Sequence, residues 1–313
     1  MLNYILRRIL ATIPVMAIVA LFVFSLLYIA PGDPAAVIAG DQASPADVAR
    51  IRASLGLDRP FLIRFGEWVW LILHGDLGTS IFTSLPVAAM IAQRIEPTLS
   101  LMAVTLILSV SIAVPIGVVA AWQADTLIDR SIMAFAVLGF SVPVFVIGYL
   151  LAYVFALQLD WLPVQGYTPL SEGVAPWIEN LILPASALGC VYIALIARTT
   201  RAAMLDVLQQ DYIRTARAKG MSQTGILFVH ALKNAAVPIV TVIGIGIALL
   251  IGGAVVTETV FAIPGVGRLT VDAILRRDYP VIQGVVLLFS FVYVVVNLLI
   301  DLLYTVLDPR IRY

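Results

Sequence analysis

Charge is what this sequence has least of. Asp, Glu, Lys and Arg make up 12% of its 313 residues, against roughly 25% in an average soluble chain. That leaves too little polar surface to solvate a globule of this length. The 61% of residues that are hydrophobic must therefore face lipid or one another. Net charge is zero, so no bulk electrostatic argument points to nucleic acid. The single cysteine, Cys190, excludes an internal disulfide and reads as a small hydrophobe inside an apolar run. The two histidines, His74 and His230, stand far apart without ligand-spaced neighbours, so no metal site is readable. A Gly-x-x-x-x-Gly-Lys-Ser/Thr phosphate loop is missing. The chain has no ATP site of that kind, so if it is ATP-driven the ATPase is another polypeptide. No nucleophile–base constellation suggests an enzyme. Gly265 and Gly267 lack the third glycine of a dinucleotide fingerprint and read as a tight turn.

What is abundant is the long apolar run. Six stretches reach the ~20 residues needed to cross a bilayer: Ile9–Ala30, Pro97–Trp122, Ser131–Leu159, Asn180–Ala197, Asn234–Thr257 and Tyr279–Ile300. None contains Asp, Glu, Lys or Arg. The first holds thirteen Leu, Ile, Val or Phe, which together favour insertion by roughly 4–8 kcal/mol. Its length exceeds the apolar core of a cleaved signal peptide, so it reads as a retained helix. With the N-terminus inside, eleven basic residues fall on the cytoplasmic side and eight outside, as the positive-inside rule requires. Both termini are then cytoplasmic, and the chain is one all-α transmembrane domain over residues 1–313.

Two loops are long. The outer one, residues 31–96, contains Ser44-Pro45 followed by Asp47, which predicts a helix start and a helix to about Leu55, stopped by Gly56. A second helix, Pro60 to about Leu73, carries Trp68 and Trp70, whose rings suit a headgroup boundary. This loop reads either as a lid over a pore mouth or as a docking surface. The inner loop, residues 198–237, has helix formers from residue 201 to 208, a stop at Gly220, and Ser222 as cap of a further helix containing Ile226, Leu227, Val229 and Leu232. It predicts helix, sharp turn, helix, placed to transmit movement to the spans on either side.

The runs lack midplane carboxylates or cations, which argues against an ion-coupled carrier. Glu258 and Asp301 fall at run ends and read as solvated or headgroup-paired charges. Gly244, Gly246, Gly252 and Gly253 crowd the fifth run. They suit either close helix packing or a flexible gate, with Gly244, Gly252, Gly253, Thr257 and Glu258 as the candidate pathway residues. Pro115, Pro143 and Pro238 suit kinks or helix starts.

The inner loop carries a resemblance. Asp211-Tyr-Ile-Arg-Thr-Ala-Arg-Ala-Lys-Gly220, followed by His230-Ala-Leu-Lys-Asn234, resembles the "EAA" loop of ATP-binding-cassette importer permeases. The variant is that of dipeptide, oligopeptide and nickel importers. Supporting pieces run along the chain: Pro31-Gly-Asp-Pro34, Leu55-Gly-Leu-Asp-Arg-Pro60, Gly75-Asp-Leu-Gly78, Leu183-Pro-Ala185, Gly252-Gly-Ala-Val-Val-Thr-Glu258, Pro264-Gly-Val-Gly267, Arg277-Asp-Tyr-Pro280 and Asp308-Pro-Arg310. The length and the long first outer loop resemble the "B"-type subunit. The general Glu-Ala-Ala and Leu-Pro positions are here Arg214, Thr215, Ala216 and Lys233, a departure shared with the peptide branch.

The resemblance implies a type I importer fold in a bacterial inner membrane. It implies a second, homologous C-type permease, two cytoplasmic ATPase subunits that bind ATP and Mg, and a substrate-binding protein outside. This chain itself would hold no cofactor. The ATPase contact would comprise Tyr212, Arg214, Thr215, Ala216, Arg217, Ala218, Lys219, Gly220 and Met221. The substrate would be a peptide, nickel, glutathione or another small solute. The competing reading from the residues alone is a stand-alone carrier or channel.

Overall fold

The computed structural model describes residues 2–29, 34–39, 43–54 and 56–307. The segment 31–33 and the basic tail 308–313 lie outside the described residues. The first part of the chain forms α1 (Leu2–Ile29), α2 (Pro34–Ala39), α3 (Pro45–Ser54), α4 (Phe61–Leu73) and α5 (Val87–Ala92). Then follow α6 (Ile95–Trp122), α7 (Leu127–Ser141), α8 (Val144–Leu151), α9 (Val174–Leu208) and α10 (Asp211–Ala218). The chain continues with α11 (Leu232–Asn234), α12 (Ala236–Val260), α13 (Val266–Arg276) and α14 (Tyr279–Leu307). Two π-helical segments, Ala152–Gln158 and Gly225–Ala231, continue α8 and precede α11.

Five helical stretches are long and apolar enough to span a bilayer, and α7 and α8 together are long enough for a sixth, bent by 103° into a broken span or a re-entrant loop. Pro143 explains the break: Val142 is extended and Pro143 stands just before α8, so the backbone leaves the helical region for two residues. The third span is therefore not the straight Ser131–Leu159 helix that hydropathy predicts. The fourth is longer than predicted. No Gly or Pro separates Arg198 from Leu208, so residues 201–208 extend α9 instead of forming their own surface helix. α14 likewise runs to Leu307, which puts Asp301 inside a helix, partly buried, and not at its end.

Local signals in the outer loop hold. Ser44 Oγ accepts the Asp47 N–H at 3.3 Å, and the Asp47 carboxylate takes the Ser44 hydroxyl at 2.7 Å and the Ser44 N–H at 3.3 Å. This is a reciprocal capping box with Asp in the place of Glu. Gly56, at φ +63°, ends the segment.

The chain forms two compact units, residues 1–95 with 269–295, and residues 96–268 with 296–313. In the first, Phe24 and Tyr28 of α1 meet Phe61, Phe65 and Trp68 of α4 with ring centroids 5.1–5.5 Å apart. In the second, α9 is the central helix, packed by α7, α8 and α12. It is the most enclosed span: 61% of its apolar stretch is buried, against 11% for α1 and 6% for α14. Small residues set the approach distances. A Cβ on Gly117 would stand 2.7 Å from the Ala197 carbonyl and 2.6 Å from Thr200 Cβ. One on Gly253 would stand 2.5 Å from a Leu188 methyl, and one on Gly244 equally close to Ile300. These glycines are packing contacts, as lipid-embedded helices require.

Gly117→Val is expected to lower stability by about 1–3 kcal/mol through overpacking against α9. A Cβ on Gly252 would meet nothing within 4 Å, so Gly252→Ala is expected to hold or raise stability by about 0.5–1 kcal/mol. Thermal unfolding of the two purified variants in detergent measures the contrast, and equal midpoints would contradict it.

Candidate functional site: the α10 loop and the end of α12

α10 is a short helix with both ends defined. Asp211 sits in its first turn and Arg217 in its last, each charge matched to the helix dipole. At the C-terminus the Met221 N–H donates to the Ala216 carbonyl at 3.2 Å and the Gly220 N–H to Arg217 at 3.0 Å. With Gly220 at φ +80°, this is the Schellman arrangement, which a β-carbon at that φ would strain. One residue points inward. Ile213 is fully buried in a cluster with Met204 and Ala203 of α9, Ile226, Leu227 and Ala231 of the π-helical segment, and Val118 and Ala121 of α6. The rest of the predicted contact faces out: Tyr212, Arg214, Thr215, Arg217, Ala218, Lys219, Gly220 and Met221 are exposed, and Ala216 is half-buried. The structure thus brings the nine predicted contact residues into one patch. Ser222 Oγ accepts the Gly225 N–H at 3.3 Å, as its predicted capping role requires.

A second feature holds the ground from which this patch projects. Arg201 of α9 makes a two-pronged ion pair with Asp129 of α7, at 2.5 Å and 2.6 Å. The Asp125 N–H adds a bond to Asp129 at 3.0 Å. Asp129 is 3% exposed and Arg201 25%. Removing one partner of a fully buried pair costs about 3–5 kcal/mol, and the partial exposure of Arg201 moves this pair toward the lower figure. Sequence reading passed over Asp129 because its partner lies 72 residues away. The available signal was an acidic residue in the first turn of a helix that is apolar from Ile132 to Phe140.

The five candidate pathway residues lie along α12. Gly244 and Gly253 carry close helix contacts, while Gly252 faces open space. Thr257 is buried and its hydroxyl donates to the Gly253 carbonyl at 3.0 Å. None of the five lines the cavity of about 220 Å³ bounded by Met133, Ala136, Val137, Phe140, Ser141, Ala194, Leu195 and Arg198.

Glu258 departs furthest from its expected place. It is 0% exposed, not a solvated helix end. Its carboxyl group accepts the Thr98 hydroxyl at 2.6 Å and the Arg268 N–H at 2.9 Å, and Thr98 in turn accepts the Val266 N–H at 2.8 Å. A Cβ on Gly265 would collide with this carboxyl group, and one on Gly267 would stand 2.6 Å from the Val255 backbone. The Pro264-Gly-Val-Gly267 segment is therefore a turn leading into the first turn of α13, with glycines where the carboxyl group needs room. Other motif pieces are turns with partners too. The Gly78 N–H donates to Asp76 at 2.8 Å. Buried Asp278 accepts the Ser80 hydroxyl at 2.5 Å and the Ile81 N–H at 3.2 Å. At the same end of α6, Glu96 accepts the Tyr167 hydroxyl at 3.0 Å and the Leu170 N–H at 3.2 Å. Burial first, and then the bond to Glu96, push the Tyr167 phenol above its ordinary range, against the opposing pull of Ser100.

Comparison with known proteins gives concordant results. The sequence pattern described as "Binding-protein-dependent transport system inner membrane component" matches residues 113–313, and that of the corresponding N-terminal component matches residues 1–102. The chain is 58% identical over 310 residues to "Probable peptide ABC transporter permease protein y4tP" of Sinorhizobium fredii, covering 99% of both chains. It is 44% identical over 313 residues to "Glutathione transport system permease protein GsiC" of Salmonella choleraesuis, covering 100% of both. Among solved structures, an inward-facing form of the MetNI methionine ABC transporter aligns with a TM-score of 0.59 at 17% identity, over 70% of this chain and 96% of that one. That likeness is one of fold.

Glu258→Ala removes the acceptor of the buried Thr98 hydroxyl and the partly buried Arg268 N–H, a loss of about 1–3 kcal/mol for a buried group left unsatisfied, whereas Glu258→Gln keeps an oxygen in place. Thermal unfolding midpoints are expected in the order wild type, Gln, Ala, from highest to lowest. Equal losses in both variants would mean that the hydrogen bonds do not hold α13.

Proposed function

The chain belongs to the family of binding-protein-dependent transport system inner membrane components, and on that premise we propose a fuller reading. It is the B-type permease subunit of an importer of di- or oligopeptides or a related small solute such as glutathione. It lies in a bacterial inner membrane with both termini and the α10 loop in the cytoplasm. A permease of this family works with ATPase and substrate-binding partners. In the proposed assembly a homologous C-type subunit completes the pathway, and two ATPase subunits bind ATP and Mg and engage one coupling loop each. The peptide or glutathione substrate is supported by the names of the relatives, and the orientation by the eleven-to-eight division of basic residues.

One observation carries the coupling assignment. α10 is anchored through Ile213 alone, while its other side presents Tyr212 at 44% exposure and Met221 at 41%, among three exposed basic residues. Tyr, Met and Arg are enriched in protein interfaces. A push on this patch reaches α9 through Met204 and α6 through Val118, which share the cluster with Ile213. The Asp129–Arg201 pair makes α7 follow α9. In the proposed topology the Asp129 end of α7 lies on the same side of the bilayer as α10. Specificity then rests with the outer binding protein, because the predicted spans offer few ionisable groups to a substrate.

Gly220→Asp and Ala216→Glu test the assignment in the reconstituted complex. Strain of about 1–3 kcal/mol at Gly220 corresponds to a roughly 5- to 150-fold shift in a coupled equilibrium. Both variants are expected to insert normally while uptake and binding-protein-stimulated ATP hydrolysis fall within that range. Unchanged uptake would remove α10 from the coupling path. For orientation, an Arg214→Cys label site in a Cys190→Ser background is expected to react with impermeant maleimide only from the cytoplasmic side, and reaction from outside would overturn the topology.

A further inference from the structure

α4 is apolar on both sides. One side, Phe61, Phe65 and Trp68, packs on the last turns of α1, with the Arg64 guanidinium 5.7 Å over the Phe24 ring and 5.4 Å over Tyr28. The other side is bare: Leu62 is 77% exposed, Ile63 54%, Trp70 65% and Leu73 75%. None of the residues of α4 is buried. Its two charges lie away from that bare strip. Arg64 is turned to the α1 rings and donates to the Tyr28 hydroxyl, and Glu67, at the strip's edge, pairs with Arg59 at 2.9 Å. At 13 residues the helix is about 20 Å long, too short to span the ~30 Å of hydrocarbon.

We infer that α4 is an interfacial helix. It lies in the outer boundary of the bilayer with Leu62, Ile63, Trp70 and Leu73 among lipid acyl chains, and the outer loop is fastened to the membrane through it. Three observations select lipid as the occupant. The helix rests on the final turns of a span whose own surface is lipid-facing, with Phe22 60% and Ile29 68% exposed, so the bare strip continues a surface already in contact with lipid. An exposed strip of large apolar side chains with the charges kept to the rest of the helix suits the water–lipid boundary, and water would leave this strip unsolvated. The neighbouring helix α3 is the opposite: it carries Asp47, Arg50 and Arg52 and has no apolar side of this kind, as expected of a segment above the headgroups. Trp70, whose ring meets that of His74 at a tilt with centroids 4.3 Å apart, sits near the C-terminal end of the helix, where a tryptophan ring suits the headgroup level. α4 thus differs from both a lid and a water-exposed docking surface.

The inference rests on the reading that α1 spans the membrane, and the test separates the two. In a Cys190→Ser background, spin labels are placed singly at Leu62→Cys, Trp70→Cys, Leu73→Cys, Ile18→Cys on α1 and Arg50→Cys on α3. The full transporter is reconstituted in vesicles of phosphatidylethanolamine and phosphatidylglycerol. Relaxation by oxygen, which concentrates in lipid, is compared with relaxation by a water-soluble nickel complex. Oxygen is expected to dominate at 62, 70, 73 and 18, and nickel at 50. Nickel dominance at 62, 70 and 73 with oxygen dominance at 18 would overturn the inference in favour of an aqueous docking face. Low accessibility to both reagents at 62, 70 and 73 would overturn it in favour of a protein partner. Nickel dominance at 18 would instead overturn the spanning reading of α1, and the inference with it.

Discussion

A bilayer interior has no water to hydrogen-bond with, and every polar group this chain carries into it must find a partner within the chain. That constraint accounts for more of the structure than any single contact does. It makes the described residues helical almost throughout. Several hydroxyls of the spans turn back onto their own helix: Ser25 onto the Leu21 carbonyl, Thr199 onto Leu195, Thr241 onto Val237 and Ser290 onto Val286, at 2.6–3.0 Å. With apolar attraction between helices no stronger than between helix and lipid, cohesion has to come from close approach. The glycines facing Thr200, Leu188 and Ile300 provide it.

The same constraint explains where the ionisable groups sit. Asp129 with Arg201, Glu258 with Thr98 and the start of α13, and Asp278 with Ser80 all lie near helix ends. Each is enclosed yet fully engaged by donors from distant parts of the chain. They fasten turns to spans at positions where a bare carboxyl group would be costly. One such fastening ties α7 to α9, and another ties the end of α12 to the start of α13.

Local chemistry was legible in the sequence, and long-range pairing was not. Ser44 with Asp47, Gly56, Gly220 and Ser222 each announce a cap or stop through residues at most three apart, and each does so in the structure. Pro143 marked the broken span, although hydropathy averaged over the break concealed it. α9 was misjudged because the charges from Arg198 onward look like the start of a loop. A helix ends at a residue that stops it, and none occurs before Leu208. Glu258 was placed in solvent because Thr98, its partner, stands 160 residues away. α13 went unseen because its 11 residues mix charge with apolar positions and never reach the length of a span. The patch around α10 was found by resemblance, and its reason for being a patch, the single buried Ile213, emerged only from packing.

α9 invites a mechanical reading of its own. Its 35 residues make a rod of about 52 Å, far longer than the hydrocarbon is thick. Asn180 near one end is tied to Thr168 at 3.0 Å, and Arg201 near the other is tied to Asp129. A rocking of about 5° around its centre would carry each tip roughly 2 Å in opposite senses. Tilt at one tip therefore reappears, inverted, at the other, and the one interruption in its hydrogen-bond ladder, buried Pro184, decides how much of that stroke is lost on the way.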